Sequence, residues 1–152
     1  MWYLKQVILQ IKKIELAKIK KFDFGQENYK ILIVEDNKIN MLLTKTFIKQ
    51  IIPNGTLYEA ENGKDAINKF SILKPDLILM DVQMPVLNGY ETTSEIRKTP
   101  TGHHIPIIAL TAGTVVGEKE KCIEAGMNDY ISKPIDKDLL EEKIAKWILT
   151  KL

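Results

Sequence analysis

The stretch DLILMDVQMPVLNGYE, residues 76–91, decides the reading of this chain. Leu77 to Met80 is an unbroken apolar run that ends on an acid, Asp81, and is followed by Pro85 and by Asn88-Gly89. Continuous apolarity without polar alternation predicts a strand covered on both faces, as in a parallel sheet. Proline and Asn-Gly then mark a turn. The reading places Asp81 at the carboxyl end of a buried strand, with a helix from Gly89 to Lys98 behind it.

Working outward, four more strand candidates appear: Tyr29 to Val34 (YKILIV), Thr56 to Ala60 (TLYEA), Ile105 to Leu110 (IPIIAL) and Asp129 to Ser132 (DYIS). Helix-length segments separate them. Asn37 to Ile51 carries Ile39, Leu42, Leu43, Phe47 and Ile51 as an apolar stripe, and Pro53-Asn54-Gly55 stops it. Asn62 to Leu73 closes at Pro75, and Gly117 to Ala125 closes at Gly126 as a C-cap. Asp136 opens a last helix to Leu149. The pattern is (βα)5. Right-handed crossovers make it an open parallel sheet with helices on both faces. Sites in such sheets form beyond the carboxyl ends of the strands, where the strand order switches.

Composition agrees with one globular domain and a short appendage. The 152 residues are 45% hydrophobic and 28% charged, with a net charge of +2. The charge is uneven. Residues 1–22 hold Lys5, Lys12, Lys13, Lys18, Lys20 and Lys21 against Glu15, a net +5; the other 16 basic and 19 acidic residues give −3. A mildly acidic globular part argues against direct nucleic-acid binding. The one cysteine, Cys122, allows no internal disulfide and reads as a small packing residue. No apolar stretch reaches transmembrane length, and the expectation is a cytoplasmic protein. His103 and His104 read as solvated loop residues.

Four polar signals coincide with strand ends: Glu35-Asp36, Asp81, Thr111, and Lys133 followed by Pro134. A parallel sheet gathers them into one pocket. Three carboxylates at close range repel unless a cation binds, and hard oxygen ligands suit Mg²⁺. A cation-neutralised carboxylate can attack a phosphoryl group and form an aspartyl phosphate. Lys133 and Thr111 would offer a point charge and a hydroxyl donor to the charge on the transferring group.

The blocks ILIVEDN (31–37), DLILMDVQMPVLNGYE (76–91), IIALTA (107–112) and DYISKPI (129–135) resemble the signature of the response-regulator receiver family, in the expected order. VEDNKIN (34–40) and GMNDYISKPI (126–135) are most similar to receivers attached to hybrid sensor histidine kinases. The resemblance implies a flavodoxin-like five-stranded sheet in the order 2-1-3-4-5 over residues 29–152. It also implies a phosphorelay function: Asp81 accepts a phosphoryl group from a histidine kinase or histidine phosphotransfer protein, with Mg²⁺, or Mn²⁺ in its place. Asp36 and Asp81 would bind the metal, with Glu35 and the backbone carbonyl of Gln83 assisting. Lys133 would pair with phosphoryl oxygens across a cis bond to Pro134. Thr111 and Tyr130 would be the switch pair, and small Ala112 would leave the phosphoryl group room. In the family, partners dock or a homodimer forms on the fourth helix, fifth strand and fifth helix of the repeat, where Met127, Ile131 and Leu139 are candidates. The family is a signalling domain rather than an enzyme acting on outside substrates.

Two other classes compete. A haloacid-dehalogenase-type phosphohydrolase needs a second Asp two residues past the nucleophile, where this chain has Gln83. A flavin-binding flavodoxin needs a phosphate loop after the first strand, where an acidic pair stands instead. Each residue also has a plainer reading: Glu35-Asp36 as helix caps, Asp81 as a loop cap, Lys133 as a surface lysine, Tyr130 as a half-buried strand tyrosine. Position within the four blocks weighs against the plainer readings of Asp81 and Lys133, whereas a capping role for Glu35-Asp36 is compatible with the site. Residues 1–28 stand apart as an extension. Leu4, Val7, Ile8, Ile11 and Ile14 fall at helical spacing and predict a helix packed on a neighbour, with a basic membrane-surface helix as the second reading. Phe22 to Asn28 reads as a linker.

Overall fold

The structure is a computed structural model that describes residues 1–17, 22–113 and 116–150, the side chains of 15–17 excepted. Lys18, Lys20 and Lys21 of the basic extension lie outside the described residues. Five strands, β1 (Lys30–Val34), β2 (Thr56–Ala60), β3 (Leu77–Asp81), β4 (Ile107–Thr111) and β5 (Asp129–Ser132), form one parallel sheet in the order β2-β1-β3-β4-β5. The chain moves outward from β1 to β2, then returns past β1 to β3. The strand order therefore switches between β1 and β3, which pair in the register Val34↔Met80. The next residues, Glu35 and Asp81, leave the sheet side by side.

Alternation with period two divides the strands between two cores. Ile31, Ile33, Leu77, Leu79, Ile108, Leu110 and Ile131 face α2 (Lys38–Ile51) and α6 (Lys137–Ile148). Leu32, Val34, Ile78, Met80, Ile107 and Ala109 face α3 (Gly63–Leu73), α4 (Gly89–Arg97) and α5 (Glu118–Glu124). Both faces being covered is why β3 reads as continuous apolarity. Each such side chain contributes roughly 1.5–3 kcal/mol by leaving water.

Four helices start on an Asx side chain that accepts from their first free N–H groups: Asn37 before α2, Asn62 before α3, Asn88 before α4 and Asp136 before α6. At α4 this is a full capping box with Glu91. Such a cap adds about 1 kcal/mol and fixes where each loop ends. Gly126 closes α5 with φ +97°.

Four expectations change. The buried face of α2 is Met41, Thr44, Ile48 and Ile51, while Ile39, Leu42 and Leu43 are exposed. Apolar residues lie on both sides of this helix, so spacing alone could not select the inward stripe. The stretch read as a linker packs on the domain: Phe24 is buried in the α2–α6 core and meets Tyr29 edge-on, with centroids 6.5 Å apart. Asn54 Nδ2 donates to Gln26 and Thr56 Oγ1 to Asn28, at 2.8 and 2.7 Å. Met127 and Ile131, offered as surface candidates, are buried at 3% and 1% exposure, and only Leu139 is exposed. The N-terminal helix α1 (Trp2–Ala17) forms as expected, but residues 1–14 are all exposed and so, among the described residues, not packed on a neighbour. Among the described residues no helix is long and apolar enough to cross a membrane.

Candidate functional site

The carboxyl ends of β1, β3, β4 and β5 converge on one acidic pocket. Glu35, Asp36 and Asp81 each present a carboxylate oxygen, and these oxygens lie within 4.8 Å of one another. Glu35 and Asp81 are buried and Asp36 is exposed, so the cluster opens to solvent on one side. Three hard oxygen donors that converge in this way and are only partly neutralised fit a small divalent cation such as Mg²⁺.

Lys133 supplies the neutralising charge. Its ammonium is 2.7 Å from Glu35 Oε2 and 3.2 Å from Asp81 Oδ1. The strand ends hold it there: Lys133 N donates to Thr111 O at 2.6 Å, and the Lys133–Pro134 bond is cis, as expected. Burial alone would lower the lysine's pKa, but pairing with Glu35 and Asp81 outweighs it and raises the value. Glu35 is fixed from the other side by Asn37 N–H, which donates to Oε1 at 3.1 Å.

Asp81 is 3% exposed. Burial first, and then repulsion from Glu35, push its carboxyl up to about 6; Lys133 and the Gln83 N–H, which donates to Oδ1 at 3.2 Å, pull the other way. The loop after it is held close by Gly89. A Cβ there would lie 2.3 Å from the Asp81 carbonyl oxygen, so only glycine fits.

Thr111 ends β4 beside Asp81, at 1% exposure, followed by half-buried Ala112. Tyr130, half-buried on β5, lines a cavity of about 260 Å³ with Thr111, Gly113, Glu118 and Ser132. A second cavity of about 320 Å³ lies beside the acidic pair, between Glu35, Asp36, Met41, Leu42 and Glu61. The residues expected to form the site are thus brought to one end of the sheet. One group was not anticipated from sequence. Asp129 Oδ1 accepts from Lys143 Nζ at 2.6 Å and Oδ2 from Trp147 Nε1 at 3.0 Å, and Lys143 Nζ lies 5.3 Å from the Tyr130 ring centre. Its only sequence trace is the i, i+4 spacing of Lys143 and Trp147 on one helix face.

The profile for the response regulator receiver domain matches residues 31–145. Hybrid signal transduction histidine kinase I of Dictyostelium discoideum is 45% identical over 123 residues, which are 76% of this chain and 7% of that protein. Sensor histidine kinase GacS of Pseudomonas protegens is 36% identical, over 78% of this chain and 13% of that protein. This chain therefore spans a small part of the length of the curated relatives it matches. Among solved structures, the receiver domain of sensor histidine kinase PA1611 from Pseudomonas aeruginosa, with magnesium coordinated in its active-site cleft, is 36% identical. It superposes with a TM-score of 0.75 over 82% of this chain and all of that one. The receiver domain of Saccharomyces cerevisiae Ssk1, solved with the histidine phosphotransfer protein Ypd1, is in a match at 32% identity and TM-score 0.74, covering 82% of this chain and 91% of that one. Sheet order, strand-end acids and these matches agree: the chain belongs to the response regulator receiver domain family of two-component signalling.

Proposed function

We propose that Asp81 is the phosphoacceptor of this receiver and that Glu35, Asp36, Asp81 and the Gln83 carbonyl hold Mg²⁺, or Mn²⁺ with its similar oxygen preference. The observation that carries this is the convergence of three carboxylate oxygens within 4.8 Å, with Lys133 on their far side. When bound, the cation supplies charge neutralisation for the carboxylate cluster and the incoming phosphoryl oxygens.

The chain's own groups do the rest. An Asp81 carboxylate oxygen attacks phosphorus, and the P–N bond to the donor imidazole breaks. The electron pair stays on that imidazole nitrogen, leaving a neutral histidine in the partner. Lys133 already sits 3.2 Å from Asp81 Oδ1 and is placed to follow the new oxygens. The buried Thr111 hydroxyl is a donor toward the same group, and Ala112 leaves it space. Gln83 offers no general acid, so the domain is a phosphoacceptor and not a phosphatase of outside substrates.

The partner in this reading is a histidine kinase or histidine phosphotransfer protein, met in the cytoplasm. Ile39, Leu42 and Leu43 are exposed beside the acidic cleft and offer an apolar docking surface for it. Self-association through α5, β5 and α6 would use Ile123 and Leu139, which are exposed.

The test incubates the protein with Mg²⁺ and acetyl phosphate and follows intact mass. An acid-stable, base-labile phosphoryl adduct is expected, lost on omitting Mg²⁺ and in Asp81→Asn. Modification of Asp81→Asn at the wild-type rate would sink the assignment.

A further inference from the structure

We infer that Lys143 is a positioning residue: anchored to Asp129, it holds the Tyr130 ring away from the cavity beside Thr111 and so sets the balance between the resting and activated states. The inference rests on Thr111 and Tyr130 being the switch pair proposed above.

The argument begins with alternation along β5. Asp129 and Ile131 point toward α6, whereas Tyr130 points to the opposite face. β5 is the edge strand, so a long side chain from α6 can reach around it to the other face. Lys143 does so. Its ammonium is 2.6 Å from Asp129 Oδ1 and 5.3 Å from the Tyr130 ring centre. Asp129 is itself fixed: Trp147 Nε1 donates to Oδ2 at 3.0 Å, and the Tyr130 N–H donates to Oδ1 at 2.9 Å. The Lys146 ammonium lies 3.8 Å from Oδ2. The carboxylate is 8% exposed and retains its charge because these donors outweigh burial. A lysine held this way keeps its position with little further loss of side-chain freedom, and its charge attracts the ring face.

Tyr130 also lines open space. The cavity of about 260 Å³ that Tyr130 lines also has Thr111, Gly113 and Ser132 in its wall. Tyr130 therefore borders both the cavity and the ammonium. A ring that turned into the cavity would leave Lys143, and the lost attraction adds to the cost of activation. Deleting the charge should shift the resting population toward the inward ring and tighten any ligand that selects that state.

The experiment labels the full chain with 3-fluorotyrosine and identifies the Tyr130 ¹⁹F resonance by its loss in Tyr130→Phe. It is followed during titration with beryllofluoride in Mg²⁺. In wild type this resonance should move with saturation; a resonance that stays still overturns the switch reading itself. In Lys143→Met, which keeps the side chain's length, the unliganded resonance should start displaced toward the saturated position. Half-saturation should come at about threefold lower beryllofluoride, the size of an exposed cation–π contact. Lys143→Arg should restore wild-type behaviour. If wild type shifts but Lys143→Met matches it in both starting position and midpoint, the tether is refuted. Lys143→Arg behaving like Lys143→Met also refutes it. A merely structural role would lower the melting temperature of Lys143→Met without moving the unliganded resonance.

Discussion

At Asp81 the requirements of chemistry and of folding oppose each other. A nucleophilic carboxylate must be ionised, yet burial and Glu35 raise its pKa from 3.8 to about 6. Between those two values the folded carboxyl holds a proton that the unfolded one has released. Folding stability therefore falls as pH rises through that window, and is level above it. The metal-free protein should lose on the order of 2 kcal/mol between pH 4 and pH 7 through this residue. Asp81→Asn, which cannot ionise, should flatten that decline, and its melting temperature at pH 7 should exceed wild type's. Chemical denaturation at both pH values checks this; an equal slope in the two proteins would show that Asp81 is not the source. Asp81 was legible because it ends a uniformly apolar strand. Its strained ionisation was not, because Glu35 lies 46 positions earlier in the chain and approaches only when β1 and β3 pair.

Elements were legible to the extent that their signals are local. The Asx caps before α2, α3, α4 and α6 and the apolar runs of the strands lie in contiguous sequence, so the element ends agree within a residue or two. Facing is a tertiary property, and there α2 misled. Ile39, Leu42 and Leu43 share helical spacing with the true inward residues but look outward, at 78%, 65% and 40% exposure. Arg97 is a second case: its guanidinium bonds Gly102 O, Ile105 O, Gly126 O and the Asn128 side chain, clamping the end of α4 to loops that precede β4 and β5. Nothing local announces that. The α2 surface carries its own prediction. Leu42→Asp, on an exposed position, should alter stability by less than about 0.5 kcal/mol. It should leave labelling by acetyl phosphate unchanged while slowing phosphotransfer from a phosphorylated histidine phosphotransfer protein at least about tenfold, the effect of ~1.4 kcal/mol at an apolar docking surface. Comparing the two donors in one assay checks it; equal rates from the protein donor in variant and wild type would remove α2 as the docking surface.

For the whole molecule, the question is where the folding unit begins. The sequence reading puts the break at residue 28, because the strand pattern and the receiver resemblance begin at Tyr29 and Phe22 to Asn28 reads as a linker. Packing moves it toward residue 22. Phe24 is 6% exposed in the α2–α6 core and edge-on to Tyr29, and Gln26 and Asn28 accept from Asn54 before β2 and from Thr56 at its start. A single aromatic in a polar stretch has no periodicity to report it, and the core it enters forms only when α2 and α6 pack on the sheet. Helix α1 shows the reverse: its apolar spacing was plain, yet residues 1–14 are all exposed, so the receiver owes them no burial. Two shortened chains separate these contributions. One beginning at Phe22 should melt within a few degrees of the full chain and take up Mg²⁺ and beryllofluoride with unchanged affinity. One beginning at Tyr29 loses the buried Phe24 ring and should be destabilised by about 3 kcal/mol. For a domain of this size that is a melting temperature lower by roughly 10 °C. Calorimetry on the two chains decides the matter: equal melting temperatures would return the boundary to residue 28, and a large loss already at Phe22 would mean that α1 supports the fold after all.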